Sequence, residues 1–384
     1  NVPFSGDDIE IDHDVTLNVD AEVSNITIST GNDLTSESGQ SRTLTIQDGG
    51  TFTNNGTFTA NDGSVSFPGT GTISGTTTFN NVDIAGGVDF GSNSKINGTL
   101  AVNAGGFANT APTYGASSTL NFSTGGAYAV DGTTTLWTSG NSLGEGVPNN
   151  IQVTTTNPLN IFDARDVTGN LTIDSGASVV QGNNDFIIQG DFDNSGTYSF
   201  VSDGSSPLTV QGNFNNQSGA NFALSNTVGG DLDLEGNFTD NGTFTANDRA
   251  VFFTGSGSDQ TITSTTDPLT IDFIVIDKPS SNVKMLQNLD LPNNLELTNG
   301  NLDVSGNTLT ISGDIRPDGG SGKIEGNAAN STLVFDDSSI ARTLEPGDLL
   351  NNEIANLTID ESAGVIINTD LTVTENLDIN AGDN

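Results

Sequence analysis

The chain carries 384 residues, 47 of them Gly, with no Cys, a single His and 48 Asp+Glu against 9 Lys+Arg, a formal net charge of −39. Such a balance excludes a protein that grips nucleic-acid phosphates, which needs clustered cations to displace counterions. Without Cys and with His13 alone, neither a Cys–His nucleophile pair nor a multi-His zinc site can form within one chain.

The text is crowded with Asn, Thr, Ser and Asp, residues of turns and strand surfaces, and no stretch places apolar residues at i, i+3, i+4 and i+7. An all-β chain with almost no helix is expected. No apolar run of about 18 residues is present to span a membrane, and no basic leader with an apolar run opens the sequence, which reads as a mature segment. Near its start His13 lies between Asp12 and Asp14. It could bind a metal weakly, but on a strand its neighbours point to the opposite face and a solvent-facing His is expected.

High charge with 33% hydrophobic residues is also compatible with disorder. Periodicity decides against it. Leu44 and Ile46, Leu171 and Ile173, Leu208 and Val210, Leu309 and Ile311, Leu357 and Ile359, and Leu371 and Val373 each flank a Thr. Two aliphatic side chains then share one strand face and the Thr takes the other. Asn-Gly at Asn55, Asn97, Asn241 and Asn299, with Asp-Gly at Asp48, Asp131 and Asp203, is read as corners that need positive φ. Pairs of outward threonines at Thr51 and Thr53, Thr57 and Thr59, and Thr243 and Thr245 raise an ice-binding face as a minor alternative, although they do not recur coil after coil at one phase.

The least regular stretch is residues 107–165, with Tyr114, Tyr128 and the single Trp137. It reads either as a loop-bearing section or as worn repeats. At its end Asp163-Ala-Arg-Asp166 puts an Arg beside two carboxylates, a grouping of the kind used in sugar chemistry by enzymes built on parallel β-helices. The blander account is a salt-bridged turn.

Residues 185–253 hold three passes of one unit, opening at Gly190-Asp-Phe192, Gly212-Asn-Phe214 and Gly236-Asn-Phe238. The period from Phe192 to Phe214 to Phe238 suits one coil of a solenoid, whose apolar face is buried by the next coil. The Phe positions should therefore form an internal ladder. Within the first pass Asp191, Asp193 and Ser195 imitate the start of a calcium loop, but the position of the closing Glu is Ser202, so a solenoid corner is the competing account. Asn55–Asp62 recurs as Asn241–Asp248, and Phe253, Leu289, Leu295 and Gly300 recur at one constant offset as Phe335, Leu371, Leu377 and Gly382. The expected fold is one continuous parallel β-solenoid over 1–384, right-handed, of roughly eighteen degenerate coils, each of about twenty to twenty-four residues.

The phrases Val167–Ala177, Leu295–Ile311 and Asn356–Val365, with the opening Pro3–Asp12, resemble the repeat regions of large surface proteins that Bacteroidota secrete by the type IX route. The resemblance implies an extracellular or cell-surface location, passage through the secretion machinery, and an adhesin-like role. The expected function is a non-catalytic structural or adhesive stalk presenting polar faces to surface glycans, surfaces or neighbouring chains, with no catalytic residue and no required cofactor. Calcium is a possible ligand of the acidic surface. The alternative is a β-helix polysaccharide lyase or hydrolase, whose Gly-His-Gly and paired-Asp signatures the sequence lacks.

Overall fold

The computed structural model describes residues 3, 5–316, 319–336, 341–361 and 363–380. Gly382 of the constant-offset recurrence, Phe4 of the opening phrase and Ser362 of the phrase Asn356–Val365 lie outside them. Every regular element among the described residues is a β-strand, and the parallel strands stack as a β-solenoid of about 17 turns. The chain divides into two compact units, Asn1–Gly190 and Asp191–Asn384.

In the first unit a coil is built of three short strands with a corner after each. One wall stacks Ser64–Phe67, Asn81–Ile84, Thr99–Val102, Thr119–Phe122, Asn150–Val153 and Leu171–Ile173 in parallel. A second stacks Gly71–Gly75, Gly87–Asp89 and Phe107–Thr110, and a third Thr77–Phe79, Ser94–Ile96 and Thr113–Tyr114. Alternation within each strand makes columns. Leu44, Val65, Val82, Leu100, Leu120, Ile151 and Leu171 lie in register and are at most 2% exposed, so each coil seals the apolar face of its neighbour.

Coil length is less uniform than the sequence suggests. Val65 pairs Val82 and Leu100 pairs Leu120, but the next partner of Leu120 is Ile151, a coil longer by half than the one before it. The long coil contains the irregular stretch. After Thr119–Phe122 and Tyr128–Val130, residues 131–149 stand where a short third strand would be. They fold back: Tyr114 N–H donates to Gly144 O at 2.9 Å, Gly146 N–H to Pro112 O at 2.9 Å, and Leu136 and Trp137 are fully buried. The Trp137 ring lies 6.3 Å from Phe122 and 5.9 Å from Phe186, and its Nε1 donates to Asp166 O at 3.0 Å. The segment thus closes its coil with one large side chain.

In the second unit the repeated Phe positions stack as expected. Phe192, Phe214 and Phe238 are in register, their rings 5.3 and 5.0 Å apart and nearly parallel. Tyr198, Phe222 and Phe244 form a second ladder at 5.1 and 5.6 Å, edge-on to the first. Beside them runs a buried polar ladder. Asn194 Nδ2 donates to Asn216 Oδ1 at 2.9 Å, and Asn216 Nδ2 to Asp240 Oδ1 at 2.7 Å. All three residues are at most 2% exposed, and a buried amide is tolerated when its bonds are made.

Asp240 ends that ladder with an acceptor and no donor. Burial pushes its carboxyl above the ordinary 3.8, against the opposing pull of the Asn216 amide and the Gly242 N–H. Asp83, Asp233 and Asp290 move the same way, with burial the main cause in each. A carboxyl raised in the folded state holds its proton better folded than unfolded. Its stabilisation is therefore full below 3.8 and is lost as pH rises through the window above that value. Asp240→Asn should raise the melting temperature at neutral pH and flatten its dependence on pH above 3.8. An unchanged or lower melting temperature at neutral pH would show that the carboxylate is well solvated there.

Corners are held mostly by Asn and Asp side chains of one coil accepting a backbone N–H of the next. Asp20 caps Thr43, Asp48 caps Thr70 and Asn150 caps Asn170, at 2.7 to 2.9 Å. In the second unit Asp191, Asn213 and Asn237 cap Asn213, Asn237 and Thr261 in turn. This corrects the reading of the Asx-Gly pairs. Gly49 and Gly300 do take positive φ, but Gly56 and Gly242 are required by closeness. A Cβ on Gly56 would come 2.3 Å from Asn32 O, and one on Gly242 2.6 Å from Ala220 O, so the stacking itself excludes a side chain.

Candidate functional site

The calcium candidates are engaged with the adjacent coil. Asp191 Oδ1 accepts both the backbone N–H and the side-chain amide of Asn213, at 2.7 and 3.0 Å, and Asp193 Oδ1 accepts the Asn215 amide at 2.9 Å. Asp191, Asp193 and Ser195 alternate with the inward Phe192 and Asn194. Among the described residues no group of three or more His, Cys, Asp or Glu side chains is placed to hold a metal ion.

His13 lies in the corner between Asp8–Ile11 and Val15–Leu17 and not on a strand. Freed from strand alternation, the Asp12 carboxylate reaches it and accepts from Nδ1 at 2.7 Å, with the His side chain 79% exposed. That bond, with the His13 charge, holds the Asp12 carboxyl below 3.8.

The Asp163–Asp166 cluster is the sequence motif that the fold develops into a site. Strand alternation in Arg165–Val167 turns Arg165 inward, where it is 4% exposed. It is not a salt-bridged turn. Nη1 donates to Ala164 O at 2.8 Å and Nη2 to Asp131 O at 2.5 Å, so the guanidinium ties down the backbone at the start of the 131–149 segment. Its Nε is buried without a partner. Burial pulls the Arg165 pKa below its ordinary value, with Asp163 and Asp131 opposing. Burial also raises the Asp166 carboxyl, while Thr133 holds that of Asp131 down through its hydroxyl and N–H.

Around this tie lies an open cleft of about 330 Å³ lined by Gly132, Thr134, Thr138, Ser139, Asp163, Ala164 and Arg165. Thr138 is fixed by its N–H to Gly146 O at 2.7 Å, and Asp131 by its bonds to Thr133. The lining offers hydroxyls, one carboxylate and a buried cation. Sequence reasoning found Asp163 and Arg165 but missed Thr134, Thr138 and Ser139. Their signal was the lengthened interval between coil repeats, which marks an insertion.

The outward threonines stack only briefly. Thr51 and Thr53 pair with Asn25 and Thr27 on one side and with Thr72 and Ser74 on the other. Thr72 is then followed by Asp89. Thr243 and Thr245 pair with Asn221 and Ala223.

No protein-family model matches the chain, and neither a curated protein nor a solved structure matches it. No helix among the described residues is long and apolar enough to cross a membrane.

Proposed function

We propose that the chain is a non-catalytic structural and adhesive segment, displayed outside the cell in the manner of the secreted repeat proteins of Bacteroidota, that presents rows of small polar side chains to glycans, surfaces or neighbouring chains. The observation that carries this reading is one outward column of the first unit. Thr45, Ser66, the half-buried Asp83, Asn121, Gln152 and Thr172, interrupted once by Ala101, lie in register on successive coils, between the sealed apolar columns. At the ~4.8 Å spacing of adjacent strands such a column offers many weak, similar contacts, which multivalent adhesion exploits. Adsorption of the chain to polysaccharide-coated and mineral surfaces, compared with a variant carrying Ser66→Lys, Asn121→Lys and Thr172→Lys, tests it. Loss of adsorption in the variant is expected. Equal adsorption by both proteins, or release of reducing ends from polysaccharides by the unaltered chain, would overturn the reading.

Calcium enters as a diffuse counterion. With 48 Asp+Glu against 9 Lys+Arg, carboxylates within a Debye length of ~8 Å repel one another at physiological ionic strength. The melting temperature should climb gradually with sodium chloride, and more steeply with calcium at equal ionic strength. Since Asp191 and Asp193 already accept amide hydrogens, no sharp saturable step is expected. A melting temperature indifferent to both salts would show that repulsion does not limit stability.

A further inference from the structure

Independently of the adhesive reading, we propose that Asn55 is a site of spontaneous modification, at which the Gly56 nitrogen attacks the Asn55 side chain, and that the fold selects this corner over the other Asn-Gly pairs. The starting observation is the recurrence of Asn55–Asp62 as Asn241–Asp248. Both copies begin at the same kind of corner, between a strand that ends in a buried polar residue and a Thr-Phe-Thr strand. The residue just ahead of each copy differs, being Asn54 in the first unit and Asp240 in the second.

That difference decides where the glycine N–H goes. In the second unit Asp240 Oδ1 accepts the Gly242 N–H at 3.3 Å. In the first, Asn54 is 5% exposed, its Nδ2 donates to Thr76 O at 2.8 Å, and its Oδ1 is buried without a partner. The Gly56 N–H meets no acceptor among the described residues, and the Asn55 carboxamide beside it is exposed. The other two pairs are held. Gly98 N–H donates to Asn80 O at 2.9 Å, and the Asn299 carboxamide is gripped at both ends, by Asp277 Oδ1 at 2.7 Å and Ser321 Oγ at 3.2 Å. An engaged N–H must give up its bond before its nitrogen can attack, and a gripped carboxamide must give up its bonds before it can turn onto the main chain.

The step needs only water and hydroxide. The Gly56 nitrogen loses its proton to hydroxide and bonds to Asn55 Cγ, the Cγ–Nδ2 bond breaks, and ammonia leaves with a proton taken from water. Without a Cβ, Gly56 leaves its nitrogen unobstructed. Water then opens the cyclic imide. Cleavage at Cγ gives aspartate at position 55, and cleavage at the main-chain carbonyl gives isoaspartate, which routes the backbone through an extra methylene. Either product adds a negative charge to a chain whose formal net charge is already −39. Isoaspartate also lengthens a corner fixed at both ends: Asn55 N–H donates to Ile28 O at 2.9 Å and Thr57 N–H to Asn32 O at 3.0 Å. Age therefore alters one corner of the first unit, in charge and in backbone length.

The test ages the full chain at mildly alkaline pH and maps its peptides by mass spectrometry, with isoaspartate-specific methylation as a second readout. Asn55 should convert roughly fivefold faster than Asn97, Asn241 and Asn299, about 1 kcal/mol in barrier. Asn55→Gln, whose longer side chain closes the ring far more slowly, should remove the fast conversion and leave the melting temperature unchanged. In urea, where no corner is folded, the four pairs should convert at similar rates. Conversion of Asn55 no faster than the other three in the folded chain would overturn the proposal. So would the same preference in urea, which would assign it to local sequence and not to the missing acceptor at Asn54.

Discussion

Phe214→Ala should destabilise the second unit by about 3–5 kcal/mol, the cost of deleting a fully packed Phe and leaving a cavity. Phe214 is fully buried. It is stacked between Phe192 and Phe238 and meets Phe222 and Phe244 edge-on, all within 6.2 Å of its centroid. Parallel backbones hydrogen-bonded on both sides prevent the coils from closing over the void, so little relaxation is available. Thr243→Ala removes only an exposed side chain and should cost less than about 0.5 kcal/mol. Urea denaturation followed by tryptophan-independent probes, such as far-ultraviolet dichroism, compares the two. Equal and small effects would mean that the aromatic ladder is not packed as described.

The ladder was legible because solenoid stacking converts a sequence period directly into a spatial contact. Phe192, Phe214 and Phe238 follow the same Gly-Asx and share one phase, and they meet. The neighbouring Asn194, Asn216 and Asp240 carry the same phase, but a polar residue two places after a Phe reads as an outward group until the corner is known. Alternation from Phe192 points it inward, and the amide bonds make that tolerable. The second aromatic ladder escaped because its spacing is out of step with the first. From Tyr198 to Phe222 to Phe244 the longer interval comes first, whereas from Phe192 to Phe214 to Phe238 it comes second. The period slips between walls when a corner lengthens.

Corner chemistry was half legible. Asx-Gly pairs such as Asn55-Gly56 and Asn241-Gly242 marked corners between strands, whereas Asp48-Gly49 falls within the strand Thr43–Asn54, and the geometry of each pair depends on the coil above and below. Gly56 and Gly242 are glycine because a carbonyl of the preceding coil occupies the space, a constraint between residues a full coil apart in the chain. The cleft shows the same limit. Asp163 and Arg165 stood out locally, whereas Ser139 and Thr138 became partners only because Trp137 is buried between Phe122 and Phe186 and so turns residues 131–149 back across the coil. One apolar anchor decides where the polar side chains of the cleft lie.

Arg316→Met should cost the second unit about 3–5 kcal/mol, because it strands a buried carboxylate. Arg316 Nε and Nη2 both donate to Asp348 Oδ1, at 2.9 and 2.6 Å, and Nη1 donates to Gly320 O at 2.9 Å. Asp348 Oδ2 accepts the Glu345 N–H at 2.6 Å, and the Arg316 and Asp348 side chains are only 14% and 1% exposed. Met keeps the volume of the arginine stem, so the loss measures charge compensation more than packing. Arg42 and Glu37 pair at 2.7 Å with side chains 29% and 41% exposed, and solvent screening should hold Arg42→Met below about 1 kcal/mol. Adding Asp348→Leu to Arg316→Met should recover most of the loss, since no buried charge then remains, but not all of it, because the Glu345 N–H loses its acceptor, worth about 1 kcal/mol. A double variant no more stable than Arg316→Met alone would assign the cost to the corner at Glu345–Asp348 and not to the uncompensated carboxylate.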